Sequence, residues 1–213
     1  MKQYGLLIAF ICITNLLSHG QGSKKSFRDE LTVSLNRTVQ LNKGIEPRYS
    51  FGFGAKHIFM ANKIANILLG VEYNCIRFHS SFYYQGLYYG TADLNYKLHY
   101  LSVPLGIRIN LQDNPTVFVE TGVYMDFILN SNVQGTTHIF IPSKYGGYIN
   151  SKEIDESIPI ESNTGIYFAA GVKIPISKFE LLIKPDFKLG FAPHIDRYTF
   201  CNHYFRLNLG VSF

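Results

Sequence analysis

Residues 117–129 constrain the fold more than any other stretch. Val117, Val119, Thr121, Val123, Met125, Phe127 and Leu129 share one face of an extended chain, and Phe118, Glu120, Gly122, Tyr124 and Asp126 share the other. A helix would place Glu120 and Asp126 among the apolar residues, whereas a period of two separates them. The segment is therefore a strand with one apolar face and one polar face.

The same pattern recurs along the chain. Leu101, Val103, Leu105, Ile107 and Ile109 oppose Tyr100, Ser102, Gly106, Arg108 and Asn110. Residues 179–191 set Phe179, Leu181, Ile183, Phe187, Leu189 and Phe191 against Glu180, Lys184, Asp186, Lys188 and Gly190. Residues 203–213 set Phe205, Leu207, Leu209, Val211 and Phe213 against Tyr204, Arg206, Asn208, Gly210 and Ser212. Segments 47–59, 65–78 and 165–174 alternate less regularly, and 30–41 alternates with Arg37 interrupting its apolar face. The total is eight segments, an even number that suits antiparallel closure.

Connection lengths alternate too. Met60 to Lys63, Gln112 to Pro115 and Pro175 to Lys178 are short, while 79–95, 130–163 and 192–202 are long. Outer-membrane barrels sort their connections this way, with short periplasmic turns and longer extracellular loops. The expected fold is all-β: an eight-stranded antiparallel transmembrane β-barrel with both termini in the periplasm. Its mean hydropathy of +0.03 fits, because only every second strand residue must be apolar. Beyond the N-terminus no run of about 20 apolar residues exists, which excludes a bundle of spanning helices.

In lipid, every backbone polar group must pair within the protein, so the strands must close on themselves. A barrel of this size is filled by side chains. The expected lumen charges are basic at Arg48, Lys56, Arg108, Lys173, Lys184, Lys188 and Arg206. Acidic partners are expected at Glu72, Glu120, Asp126, Glu180 and Asp186, with Glu30 on the same inner face. Isolated charges in a narrow lumen are costly, so these should form one paired network that plugs the barrel. Gly52, Gly54, Gly70, Gly106, Gly122, Gly171, Gly190 and Gly210 also face inward and should make room for the long charged side chains. Pro104 and Pro185 lack a ladder donor, and a local bulge is expected at each. His57 and His99 fall on the lipid face and should lie near the interfaces.

The N-terminus reads as a secretory signal: Lys2, an apolar stretch Leu6 to Leu17, then Ser18-His19-Gly20 with small residues at the cleavage positions. The expected organisation is a signal peptide over 1–20, a periplasmic lead-in over 21–29 and the barrel over 30–213. Cleavage removes Cys12, and Cys75 and Cys201 alone do not make a disulfide scaffold. A net charge of +5 without a dense basic run beyond Lys24-Lys25 does not point an exported chain at nucleic acid.

The run His99-Tyr100-Leu101-Ser102-Val103-Pro104-Leu105-Gly106-Ile107-Arg108, a short turn, then Val117-Phe118-Val119-Glu120-Thr121-Gly122-Val123-Tyr124 resembles a signature of the Bacteroidetes outer-membrane β-barrel family that includes PorT-like proteins. The closing strand from Phe205 to Phe213 is similar to that family's last strand. The resemblance covers most of 30–213, makes Pro104 part of a family pattern, and implies a role beside the type IX secretion apparatus. The aromatic Phe213 also resembles the signal read by the barrel-assembly machinery, the alternative being a plain apolar terminus. Outer-membrane lipid is the remaining expected partner.

Candidate chemistry is sparse. A nucleophile needs a base and an orienting third group. The rim offers His79, Ser80, Ser81, His138, His194 and Asp196, with no recognisable catalytic motif. His194, Asp196, Cys201 and His203 match no zinc spacing. The chain is read as non-enzymatic, without cofactor or metal; a rim-active lipid-modifying enzyme and a narrow pore are the alternatives. Tyr83, Tyr84, Tyr88 and Tyr89 form an aromatic cluster, either a partner site or an outer aromatic belt. Segment 130–163 is the longest connection and the place to look for a partner, and His138 to Ile141 could prolong a strand into an external hairpin.

Overall fold

A computed structural model describes residues 27–39, 45–60, 64–85, 89–143, 146–157, 162–191, 194–195, 198–199 and 203–213. The strands are β1 (Phe27–Thr38), β2 (Ile45–Met60), β3 (Ala65–Gln85), β4 (Tyr89–Asp113), β5 (Thr116–Ser143), β6 (Gly146–Glu156), β7 (Asn163–Ile176), β8 (Phe179–Phe191), β9 (His194–Ile195), β10 (Tyr198–Thr199) and β11 (Tyr204–Ser212). The sheet runs β4-β3-β2-β1-β11-β8-β7-β5, and a further β4–β5 pairing closes it into an eight-stranded barrel. All its pairs are antiparallel neighbours. Among the described residues strand β6 pairs only with β5, and β9 with β10 forms a separate two-stranded ribbon.

The seam is set where the chain ends meet. β1 pairs with β11 from Glu30↔Ser212 to Thr38↔Tyr204, and Asp29 and Phe213 exchange backbone hydrogen bonds at 3.1 Å in both directions. β1 therefore starts at Phe27, within the expected lead-in. Residues 1–20, the expected signal segment, lie outside the described residues, as do 21–26 of the expected lead-in.

Two of the three expected short turns appear where expected, and residues 61–63 of the third lie outside the described residues. Asp113 pairs with Thr116, and Ile176 with Phe179. In the second turn Ser177 takes a φ of 54°, the left-handed region that a two-residue hairpin needs for its twist to match the strands. At the opposite end β3, β4 and β5 run on for 21, 25 and 28 residues. A membrane crossing takes only about 9–11 residues per strand. The excess rises beyond the barrel as a ribbon, with β6 at its edge and His138 to Ile141 inside β5 as anticipated.

The distribution of side chains is the reverse of a water-soluble protein. Arg108, Arg206, Lys184 and Lys188 are among the largest fully buried side chains, while Val33, Phe51, Phe53, Leu105, Val123 and Leu209 face outward and exposed. In water this arrangement would be inside out; in a bilayer it puts charge in the lumen and hydrocarbon against lipid.

The prolines do not produce the expected bulges. The β3–β4 register is the same below and above Pro104 (Leu69↔Leu105, Glu72↔Ser102), and the β7–β8 register is the same on both sides of Pro185 (Ala169↔Asp186, Val172↔Ile183). Each ladder skips two pairs without shifting. The register shifts fall instead at Arg48/Gly52, His99/Tyr100 and Asn110/Gln112.

Candidate functional site

The barrel interior is built by alternate residues of every strand, and its charges join into one chain of ion pairs. Near the periplasmic end Arg108 on β4 reaches both ways. Its Nη1 and Nη2 donate to Glu30 Oε1 and Oε2 at 2.6 and 2.8 Å, and its Nε donates to Glu120 Oε1 at 2.8 Å. Lys173 approaches Glu30 at 2.8 Å, and Lys184 approaches Glu120 at 3.2 Å. Farther up, Arg206 repeats the device, donating to Asp186 Oδ1 at 2.7 Å and to Glu72 Oε2 at 2.6 Å. Lys188 meets Glu72 at 3.0 Å. Lys56 links the two clusters, 3.4 Å from Glu72 and 3.6 Å from Glu120. Two planar guanidiniums, each forked between carboxylates, hold the network where a point-charge ammonium could not.

Eleven of the residues expected in the lumen are buried there: Glu30, Lys56, Glu72, Arg108, Glu120, Asp126, Lys173, Lys184, Asp186, Lys188 and Arg206. Asp126 has no direct ion pair among the described residues. Ser102 donates to its Oδ1, Asn74 donates to Ser102 at 2.9 Å, and Arg206 donates to Asn74 Oδ1 at 3.2 Å. Glu180 is half-buried at the periplasmic rim, where Arg28 donates to it at 2.8 Å. Arg48 is a correction: it is exposed on the outer face. The register shift between Arg48 and Gly52 inserts an extra residue in β2, so Arg48 lies opposite outward-facing Arg77 while Gly52 lies opposite inward-facing Asn74. Glu30, buried at the centre of the lower cluster, takes a place in the network that Arg48 does not.

Aromatic rings pack over these cations. The Arg108 guanidinium lies 4.0 Å from the Phe118 ring centre, Lys188 Nζ lies 4.6 Å from that of Tyr124, and Lys56 Nζ lies 5.1 Å from that of Tyr167. The glycines opposite them provide the space. On the β5–β7 ladder Phe118 faces Gly171, Tyr167 faces Gly122 and Tyr124 faces Gly165. A Cβ on Gly122 would lie 2.8 Å from Tyr167 Cε1, and one on Gly165 would lie 2.7 Å from Tyr124 Cζ. The expectation that glycines serve long charged side chains holds for Gly54 beneath Glu72 and Gly70 beneath Lys56; on β5 and β7 they serve rings. The alternation showed these aromatics facing inward, but not that each would lie across a glycine of the next strand.

Above the ion pairs the lumen is apolar. Ile76, Phe78, Leu98, Tyr100 and Tyr204 form a buried cluster flanked by Ile45, Tyr96 and Ile128. An ion-paired layer under an apolar cluster is the arrangement expected of a closed lumen, because a hydrated ion would have to shed its water to pass. Planar-bilayer recordings of the purified protein are expected to show no steady unitary conductance; discrete, reproducible channels would disprove the closed lumen.

Outside the lumen the histidines His57 and His99 lie at the borders of the apolar band. His57 Nδ1 sits 2.6 Å from Asp29 Oδ1 at the periplasmic rim, and His99 bonds Tyr73 at the opposite border of the apolar band, so both histidines lie near interfaces as anticipated. In the ribbon, His138 Nδ1 is 2.7 Å from Ser151 Oγ, yet both are exposed and no described carboxylate orients His138. His79 has Asp93 at 3.5 Å and Asn95 at 3.3 Å; Ser80 is buried and Ser81 exposed. Tyr83 is exposed on β3. Tyr84 and Tyr89 belong to β3 and β4, but their side chains, like the whole of Tyr88, lie outside the described residues. So do Asp196, Cys201 and the His194 side chain. Cys75 is buried with a free thiol.

The family model described as the outer membrane protein beta-barrel domain matches residues 19–196. No curated protein matches the sequence. Among solved structures the chain is similar to Ail, the attachment invasion locus protein of Yersinia pestis, at 14% identity and a TM-score of 0.42, covering 88% of this chain and 97% of that one. Neisserial surface protein A is similar at 9% identity and a TM-score of 0.48, covering 90% and 98%. The N-terminal β-barrel domain of Pseudomonas aeruginosa OprF is similar at 12% identity and a TM-score of 0.38, covering 87% and 97%.

Proposed function

The chain belongs to the outer membrane protein β-barrel domain family, and on that premise we propose that it is a non-enzymatic, non-conducting barrel that works as an interaction component through its extracellular ribbon. The observation that carries this reading is the ribbon itself. Strand β6 is exposed almost throughout and, among the described residues, pairs along one edge only, with β5. Among the described residues no strand pairs along its other edge, an arrangement to which an extended partner segment adds as a further strand. Glu153, Asp155 and Glu156 lie along it beside Lys152, so a partner with a basic extended segment suits it. Tyr83 is exposed on β3, and the sequence offers Tyr84, Tyr88 and Tyr89 beside it as further candidate contacts.

The finer reading is a PorT-like role beside the type IX secretion apparatus, supported by the run from His99 to Arg108 and the closing strand to Phe213. Delivery by cleavage of residues 1–20, and recognition of Phe213 by the barrel-assembly machinery, complete it. Phe213 faces outward at the end of the closing strand, where such a signal would be read. Affinity capture from the native membrane tests the role. The intact barrel is expected to bring down secretion-complex proteins, and a barrel lacking residues 131–162 is expected to lose them while still migrating as a folded, heat-modifiable species. If neither form captures a secretion protein, the PorT-like role fails.

A further inference from the structure

Four cations stand side by side on the outer wall of the barrel. Arg48 on β2 lies directly opposite Arg77 on β3, and Arg77 lies directly opposite Lys97 on β4. Arg37 on β1 is opposite Tyr49, the residue next to Arg48, and its guanidinium lies 5.3 Å from the Tyr49 ring centre. All four are exposed. Like charges directly opposite one another across a sheet repel, and no described carboxylate comes within ion-pair distance of any of them. The periplasmic rim differs: there Arg28 has Glu180 at 2.8 Å and His57 has Asp29 at 2.6 Å.

Their height is equally specific. Each ends the outward apolar stripe of its strand. Arg37 follows Leu31, Val33 and Leu35; Arg48 comes just above Phe53, Phe51 and Tyr49; Arg77 follows Ile67, Leu69 and Tyr73; and Lys97 lies above His99, Leu101 and Leu105. Arg48 joins the row only because the β2 bulge turns it outward. The row therefore sits at the headgroup level on the extracellular side, on one sector of the wall. At the same height β5 presents Asn130 and Asn132, without charge. Four adjacent strands at about 4.8 Å spacing span roughly 15 Å, the scale of a phosphorylated disaccharide.

We propose that Arg37, Arg48, Arg77 and Lys97 form a binding site for the phosphate groups of the phosphorylated glycolipid that makes up the outer leaflet. Guanidiniums pair with phosphate in bidentate fashion, and Lys97 adds a point charge. The acyl chains of the same lipid lie along the apolar stripes immediately below, so one ligand satisfies both halves of the surface. An acidic protein segment would satisfy only the charges.

The test uses the whole folded barrel in neutral detergent, mixed separately with lipid A, enzymatically dephosphorylated lipid A and inorganic phosphate, with retained ligand per protein measured after gel filtration. Wild type is expected to retain lipid A in clear excess over the dephosphorylated form. R48Q/R77Q/K97Q is expected to fall to the dephosphorylated level, with a loss of roughly fivefold for each cation removed. Arg28→Gln, at the periplasmic rim, should retain lipid A as wild type does. If the triple variant gives no heat-modifiable folded band, R48Q and K97Q singly carry the test, each with its own drop. Equal retention by wild type and variants, equal retention of the two glycolipids, or binding of inorganic phosphate with no retained lipid A would each overturn the assignment.

Discussion

Replacing Arg108 with Met is expected to destabilise the folded barrel by about 3–5 kcal/mol, because it leaves two carboxylates in the lumen without their principal partner. Arg108 hydrogen-bonds both Glu30 and Glu120, and all three side chains are essentially inaccessible to water. Lys173 remains at 2.8 Å from Glu30, and Lys184 and Lys56 at 3.2 and 3.6 Å from Glu120, but these are ammoniums without the forked geometry that bonds both carboxylates at once. The measurement is the urea midpoint for loss of the heat-modifiable band in lipid vesicles. The double variant E30Q/R108M removes one charge of each sign, so it should cost less than the sum of the single changes, with a coupling of about 1–3 kcal/mol. Strict additivity would mean that the pair does not act as a unit, and a near-neutral R108M would remove the network as a source of stability.

Gly122→Val should be as damaging for a different reason. Gly122 faces Gly106 on β4 and Tyr167 on β7 at the same level. A Cβ there would come within 2.6 Å of Gly106 Cα and 2.8 Å of Tyr167 Cε1, and would also collide with the Leu105 carbonyl. Two of those three neighbours are backbone of an adjacent strand, so they can yield only if the β4–β5 ladder opens. The expected cost is at or above about 3 kcal/mol, the upper part of the range for overpacking, seen as failure to reach the heat-modifiable form. Adding Tyr167→Ala should not restore folding, because it frees only the ring. Recovery in the double variant would show that the ring, not the strand approach, sets the requirement for glycine.

Part of the lumen was legible because alternation is a strong signal when one face meets hydrocarbon. Glu120 and Asp126 had to point away from Val119 and Met125, and the same reasoning placed Lys56, Lys184 and Lys188 inside. It failed at Arg48, whose position in an alternating run counts for nothing once a bulge above Gly52 changes the phase of β2. Nothing in Arg48-Tyr49-Ser50-Phe51-Gly52 marks that bulge, since it is the β2–β3 pairing that places Arg48 against Arg77. The prolines misled in the opposite direction. Pro104 and Pro185 lack donors, yet the ladders pass them in register, so the irregularities lie where no residue type announces them. Strand ends were equally hidden: above the membrane, alternation continues through Tyr83, Leu94 and Val133 in polar surroundings, so connections expected over 79–95 and 130–163 are largely strand.

What the sequence determined by itself was the class of object: strands with an apolar outer face, a charged inner face and connections sorted by length, which in lipid have to close. That follows from a local rule, because each residue's side is set by its neighbours along one strand. Which charge meets which was decided only by the closed barrel. Glu30 and Arg108 are 78 residues apart, and Glu72 and Arg206 are 134 apart. They meet because closure sets the stagger of every strand at once, and no single strand carries that information.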